Sequence, residues 1–148
     1  MYAFKLQVPL DYRKRLEEDA QKEYAQAERG LLEEEGRLSD IEKMYLSNSR
    51  EYMLKQEKNP NVEILKLYRR FFNRVKTQNI RQELLIEEKK KERDGKRELF
   101  LEAMKKKKAL EILKEKRLTE YNRTMERRER KAMDEISVNN FMRAHHET

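Results

Sequence analysis

Apolar side chains recur along the first part of this chain at alternating spacings of three and four residues. This repeat has a period near 3.5, which is the pattern of a coiled-coil seam. It breaks strongly once, at 58–61 (KNPN), because Pro60 cannot continue a helix. The seam then resumes, is interrupted by polar residues after Ile86 and returns at Leu99. The pattern predicts two long helices joined by one turn. The seam positions are Ala20, Tyr24, Ala27, Leu31, Glu34, Leu38, Ile41, Tyr45, Asn48 and Tyr52 in the first helix, and Leu65, Tyr68, Phe72, Val75, Ile86, Leu99, Ala103, Leu110 and Leu113 in the second.

The composition leaves little room for another architecture. Of 148 residues, 44% are charged and 36% are apolar, and there are only three Gly and two Pro. That apolar share is too small for a thick layered core, and so few breakers leave few turns for strands. We therefore predict an all-α fold, an antiparallel two-helix coiled-coil hairpin that forms one domain over 1–148. Helix one should cover about 10–57, the turn about 58–61 and the longer helix two about 62–143.

Charge favours the pairing of the two helices. Residues 1–57 carry 10 Lys and Arg against 13 Asp and Glu, whereas residues 58–148 carry 26 against 16. An acidic helix and a basic helix form ion pairs along the flanks of a seam. With the turn near 59–60, residue i should face about residue 119 − i, which would set Gly95 near Tyr24. Helix one should then end opposite about residue 109, leaving the polar helix at 113–136 without a partner in the chain.

No catalytic, cofactor-binding or metal-binding residue is predicted. A two-helix hairpin offers no concave pocket that could perturb the pKa values of its many carboxylates. His145 and His146 are adjacent and so do not share a helix face, and the chain has no Cys. The opening MYAFKLQVPL is not typical of a secretory signal, and no apolar run is long enough to span a bilayer. We expect a soluble, cytoplasmic protein without enzymatic activity.

Two basic runs, KKKERDGKR at 89–97 and KKKK at 105–108, could indicate a nucleic-acid partner. Glu is interleaved nearly everywhere, so a solvated helical face is the favoured interpretation and no nucleic acid is expected. The alternative class is a basic coiled coil that binds nucleic acid or an anionic membrane surface. Phosphate binding of that kind should fall steeply with salt.

Aromatic residues are dense near the predicted turn. Phe71 and Phe72 are neighbours, so they cannot both point into a two-helix seam. Exposed aromatic rings mark protein interfaces, and two interpretations are therefore open: the rings fill the seam, or they form an interface. The residues concerned are Tyr45, Tyr52, Tyr68, Phe71 and Phe72.

The chain also resembles a known family, the flagellar export protein FliJ of the type III export apparatus. The N-terminal pattern F-x-L-x-x-x-L-x-x-R-x-x-x-E-x-x-A is present, and the C-terminal part contains ALEILKEKRLTEY, ERRERKAMDEI and FMR. Together with the hairpin and the length, these pieces cover almost the whole chain. The N-terminal pattern falls on Phe4, Leu6, Leu10, Arg13, Glu17 and Ala20.

The resemblance implies a non-enzymatic stalk, similar to the central shaft of rotary ATPases. Its partners would be the hexameric flagellar export ATPase, the membrane-embedded export gate and export chaperones, and it would lie at the inner face of the cytoplasmic membrane. The equivalent stalk of a virulence-type secretion system is the alternative. The implied gate-binding residues are Ile41, Tyr45, Tyr52, Tyr68, Phe72 and Val75. The implied ATPase-binding residues are Arg13, Leu113, Arg117, Tyr121, Met125, Arg128 and Lys131.

Overall fold

The computed structural model describes residues 1–58 and 61–147. It contains two helices, α1 (Gln7–Lys58) and α2 (Val62–His146), of 52 and 85 residues. The predicted all-α hairpin with a longer second helix is confirmed. The predicted turn includes Asn59 and Pro60, which lie outside the described residues.

Both helices extend beyond the ranges that the sequence predicts. α1 begins at Gln7 rather than near residue 10, because Pro9 falls in the first turn, where a missing N–H removes no helical hydrogen bond. The Leu10 amide donates to the Leu6 carbonyl at 3.0 Å, so the helical hydrogen bonds begin at the residue after Pro9. At the start of α2, the Glu63 amide donates to the Asn61 side-chain oxygen at 3.1 Å, which caps the helix.

The chain divides into two compact units, and each contains part of both helices. Unit 1 comprises Met1–Glu17 with Ala103–Thr148, and unit 2 comprises Glu18–Glu102. That residues 1–148 form one domain stays a prediction.

The core of unit 2 is a narrow row of aliphatic side chains. Leu31, Ile41, Val75 and Ile86 are buried between the helices. Glu34 is buried in the same row, where its carboxylate accepts hydrogen bonds from Gln82 and Arg37. Among the described residues, Glu34 is therefore the one buried residue of this row that carries a charge.

In unit 1, the N-terminal segment packs against α2. Phe4 and Leu10 are buried, and Leu10 is the most enclosed side chain of those described, at 1% exposure. Farther along α2, the rings of Tyr2 and Tyr121 lie 5.2 Å apart between centroids. The segment that precedes α1 thus covers α2 as far as Tyr121. We predicted that helix one would pack against helix two only as far as about residue 109. That prediction is wrong, because α1 begins earlier than predicted and the segment before it also packs against α2.

The seam of α2 is continuous, although the sequence predicted an interruption. Buried and half-buried positions follow each other every three or four residues straight through the basic region, since long Lys and Arg side chains cover the seam with their aliphatic stems. Phe100, not Leu99, occupies the seam, and Leu99 is 54% exposed. The continuous positions are Leu65, Tyr68, Phe72, Val75, Asn79, Gln82, Ile86, Lys89, Arg93, Lys96, Phe100, Ala103, Lys107 and Leu110.

Gly95 does not accommodate Tyr24 as predicted. The Tyr24 ring stacks on Phe100, with centroids 6.1 Å apart and planes 4° from parallel. Gly95 is exposed, and a Cβ built on it would meet no atom within 4 Å. The predicted register was therefore off by several residues here, and nothing in the packing requires a glycine.

Candidate functional site

Five aromatic rings form one continuous cluster where α1 ends and α2 begins. Phe72 is its centre, because its ring lies 5.4 Å from Tyr45, 5.6 Å from Tyr52 and 5.7 Å from Phe71 between centroids. Tyr68 joins through Tyr52 at 5.6 Å. We call Tyr45, Tyr52, Tyr68, Phe71 and Phe72 the tip cluster. The four rings that the resemblance assigned to the gate are thus brought together.

Beside the tip cluster lies an open groove of about 550 Å³. Tyr45 and Phe72 form part of its wall, and the buried Ile41 and Val75 form its floor. The six residues assigned to gate binding therefore fall into two groups. Four are aromatic residues of the tip cluster, and the two aliphatic residues are buried beneath the groove. Leu46, which the sequence analysis missed, lines the groove and is exposed. The sequence could have indicated Leu46, because it is an aliphatic residue outside the seam that directly follows the seam residue Tyr45.

Polar groups interrupt the apolar surface near this groove. The Oδ1 atom of Asn79 is buried and has no hydrogen-bond partner among the described residues. Asn48, at a predicted seam position, donates from its Nδ2 to the Met44 carbonyl of its own helix at 2.8 Å. The amide nitrogen of Asn48 is therefore hydrogen-bonded within its own helix.

A buried hydrogen-bonded group crosses the seam at Glu34. Gln82 Nε2 donates to the Glu34 Oε2 atom at 2.7 Å and to the Glu34 carbonyl at 2.8 Å. Arg37 Nη1 donates to the other carboxylate oxygen at 2.9 Å. The buried charge is thus both hydrogen-bonded and paired, which is the condition under which burial of a carboxylate is tolerated.

The residues assigned to the ATPase fall into two groups. Arg13, Leu113 and Tyr121 are half-buried within unit 1, where Tyr121 contacts Tyr2. The others lie on the exposed surface of α2. Every residue from 122 to 147 is exposed, and we call this segment the overhang. The exposed members of the assigned set are Arg117, Met125, Arg128 and Lys131.

Among the described residues, the ion pairs between the helices are made by two lysines at seam positions of α2. Lys107 Nζ lies 2.6 Å from the Glu17 carboxylate and 3.8 Å from that of Glu111. The hydrogen bond with Glu17 raises the pKa of Lys107 above its ordinary value. In unit 2, Lys96 Nζ lies 3.1 Å from the Glu23 carboxylate. These contacts follow the predicted pairing of an acidic helix with a basic one.

Across the described part of the chain, no group of three or more His, Asp or Glu side chains is arranged to hold a metal ion. Neither helix, over its described residues, has a stretch long and apolar enough to cross a membrane. The candidate sites are the two surfaces described above, the tip cluster with its groove and the overhang.

The sequence matches the family model described as "Flagellar FliJ protein" over residues 2–146. The chain belongs to the flagellar FliJ family. This match confirms the family inferred from the N- and C-terminal patterns. Membership of the FliJ family assigns the chain to the flagellum and to type III protein export. No curated protein and no solved structure matches the sequence.

Proposed function

We propose that this FliJ-family chain is a non-enzymatic stalk of the flagellar export apparatus, which links the hexameric export ATPase to the export gate. In this role it promotes assembly of the ATPase and protein export, and it handles export chaperones at the inner face of the cytoplasmic membrane. The observation that carries the proposal is the overhang at 122–147, which is helical as far as His146 and which the described chain leaves exposed.

The chemistry of α2 at its exposed end suits a ring lined with carboxylates. Residues 113–131 carry eight Lys and Arg against four Glu. Arg binds carboxylates in a bidentate geometry and keeps its charge when partly dehydrated. A broken apolar stripe adds contact area without a large dry interface, which suits a contact that must slip. Its residues are Leu118, Tyr121, Met125, Ala132 and Ile136.

The tip cluster supports the second half of the proposal. Exposed aromatic rings are enriched at protein interfaces and often supply most of the binding energy. The Tyr45 side chain is exposed although its ring packs on Phe72, so it is available to a partner without unfolding the hairpin. We assign the tip cluster and its groove to the export gate.

A truncated chain tests the assignment of the overhang. The chain should end after Tyr121, because Lys114 Nζ still donates to Gln7 at 2.8 Å and Tyr121 still contacts Tyr2. We expect it to keep the helical circular dichroism of the remaining residues and to bind the gate, but to lose stimulation of the purified export ATPase. Stimulation at full strength would contradict the proposal.

Charge reversal in the full-length chain gives a control for lost structure. Arg128→Glu with Lys131→Glu should weaken ATPase stimulation about tenfold or more, since both cations are exposed and would meet carboxylates. The matched control is Lys90→Glu with Lys105→Glu, two exposed cations of α2 that lie before the overhang. An equal loss in both variants would show that net charge, and not the overhang, sets the activity.

A further inference from the structure

Exposed aliphatic side chains form a collar around the adjoining ends of the two helices. Met53 and Leu54 occupy the last turns of α1, and Val62, Ile64 and Leu67 the first turns of α2. We call these five residues the tip collar. They lie outside the tip cluster, and the proposed contact with the export gate does not use them.

The collar side chains do not share one face. Successive helical residues are about 100° apart, so Met53 and Leu54 diverge by about 100° and Val62 and Ile64 by about 160°. All five are exposed, including Leu54 at 55% and Leu67 at 60%. A protein that docks on one side of the hairpin can cover only part of this collar. A medium that surrounds the helix ends can cover all of it.

The charge beside the collar has one dominant sign. Residues 41–58 and 62–81 together carry ten Lys and Arg against four Glu. In α2 the imbalance is stronger, with six cations and one carboxylate over 62–81. All six cations are exposed, and they begin within one turn of the collar. They are Lys66, Arg69, Arg70, Arg74, Lys76 and Arg81.

We propose that the tip collar inserts into the headgroup layer of an anionic lipid bilayer, with the neighbouring Lys and Arg side chains on lipid phosphates. Residues 62–67 rise about 8 Å along the helix, which matches the depth of about 5–10 Å that interfacial helices reach. Arg69 and Arg70 follow directly, at the level of the phosphates.

Vesicle flotation with the full-length protein tests this proposal. The probes are vesicles of phosphatidylcholine alone and of phosphatidylcholine mixed with phosphatidylglycerol. Each cation near an anionic surface contributes about fivefold in binding, so we expect flotation with the mixed vesicles only, and its loss at high salt. Absence of flotation at low salt, or equal flotation with both lipids, would overturn the proposal.

Two pairs of substitutions locate the contact. Leu54→Gln with Leu67→Gln should lower vesicle binding about tenfold or more, and neither side chain is needed for packing. The matched control, Leu84→Gln with Leu99→Gln, removes two leucines of α2 that are 61% and 54% exposed and lie outside the collar. The control should bind as the native chain does. Equal losses in the two variants would exclude insertion at the collar.

A single tryptophan reports insertion directly, because the chain has no Trp. The emission of Leu67→Trp should shift to shorter wavelength on addition of the mixed vesicles, and brominated lipid should quench it. Leu99→Trp should show neither effect. If Leu67→Trp responds to the purified cytoplasmic part of the export gate and not to vesicles, the collar binds an acidic protein surface and the lipid proposal is wrong.

Discussion

Single residues carry very unequal shares of the packing, because a two-helix seam buries only one narrow row. Leu31 and Leu32 are neighbours of identical chemistry, yet they are 4% and 66% exposed. The difference arises from the heptad position alone, since one side chain points into the seam and the next points about 100° away. Adjacent leucines therefore make a matched pair for measuring the contribution of burial.

We expect Leu31→Ala to lower the free energy of unfolding by about 2–4 kcal/mol, from the lost transfer energy and the cavity that remains. Leu32→Ala should change it by less than about 0.5 kcal/mol, because the side chain is already in water. Urea unfolding followed by circular dichroism measures both. Equal effects at the two positions would contradict the register of unit 2.

The pair Lys107–Glu17 predicts a dependence of stability on alkaline pH. Folding raises the pKa of Lys107 above 10.5, so the stabilisation is fully present below that pH and is lost as the pH rises through the folded value. Between about pH 9 and pH 12 the melting temperature of the native chain should therefore fall more than that of Lys107→Met. Lys108→Met, at an exposed neighbour, is the control. If the fall in Lys107→Met equals that of the native chain, the ion pair does not contribute.

Within the helical elements, polar residues occupy the seam without ending it. The Glu34–Gln82 contact is the clearest case, because it spans the two helices with hydrogen bonds of 2.7 and 2.8 Å. A single polar residue in a coiled-coil seam fixes the register at some cost in stability, since every other register would leave it buried and unpaired. We interpret Glu34–Gln82 in this way.

Gln82→Ala should destabilise the hairpin by about 1–3 kcal/mol, because the Glu34 carboxylate loses a donor and stays buried. The double change Glu34→Leu with Gln82→Leu should restore the stability of the native chain or exceed it. Guanidinium unfolding of the native chain, Glu34→Leu, Gln82→Leu and the double variant completes the double-mutant cycle and measures the coupling. A double variant as unstable as Gln82→Ala would show that the contact does not act as a unit.

At the scale of the whole molecule, the two proposed partner surfaces belong to different units. The tip cluster lies in unit 2, and the overhang lies in unit 1. The two contacts are made by separate sets of residues. Binding of the two partners should therefore be separable by substitution.

Tyr45→Ala with Phe72→Ala should weaken binding to the cytoplasmic part of the export gate about tenfold or more, since Phe72 is the centre of the tip cluster and Tyr45 is its exposed ring. Stimulation of the export ATPase should remain. Titration calorimetry and an ATPase assay measure the two effects, and Tyr24→Ala, which removes a ring stacked on Phe100 in the same unit, is the control. Loss of both activities in the double variant would indicate unfolding rather than a lost site.

The candidate surfaces could be predicted in part. The rings at Tyr45, Tyr52, Tyr68 and Phe72 follow from seam spacing, and the structure brings them into contact. The collar at Leu54 and Leu67 could not be found in this way, because its residues lie off the seam and their exposure depends on what packs beside them. The overhang was predicted to begin too early, because periodicity contains no information about the segment that precedes a helix.

The sequence by itself determined the all-α class, the two helices and the family, since a heptad repeat with one proline break and few glycines admits few alternatives. Only the tertiary structure decided which side chains meet across the seam. Local periodicity contains no information about an offset of a few residues between antiparallel helices, whereas the packing of side chains selects one offset. In the selected offset, Phe100 and not Gly95 packs against Tyr24, and the N-terminal segment contacts α2 as far as Tyr121. The limits of the overhang follow from this offset and from the packing of the N-terminal segment.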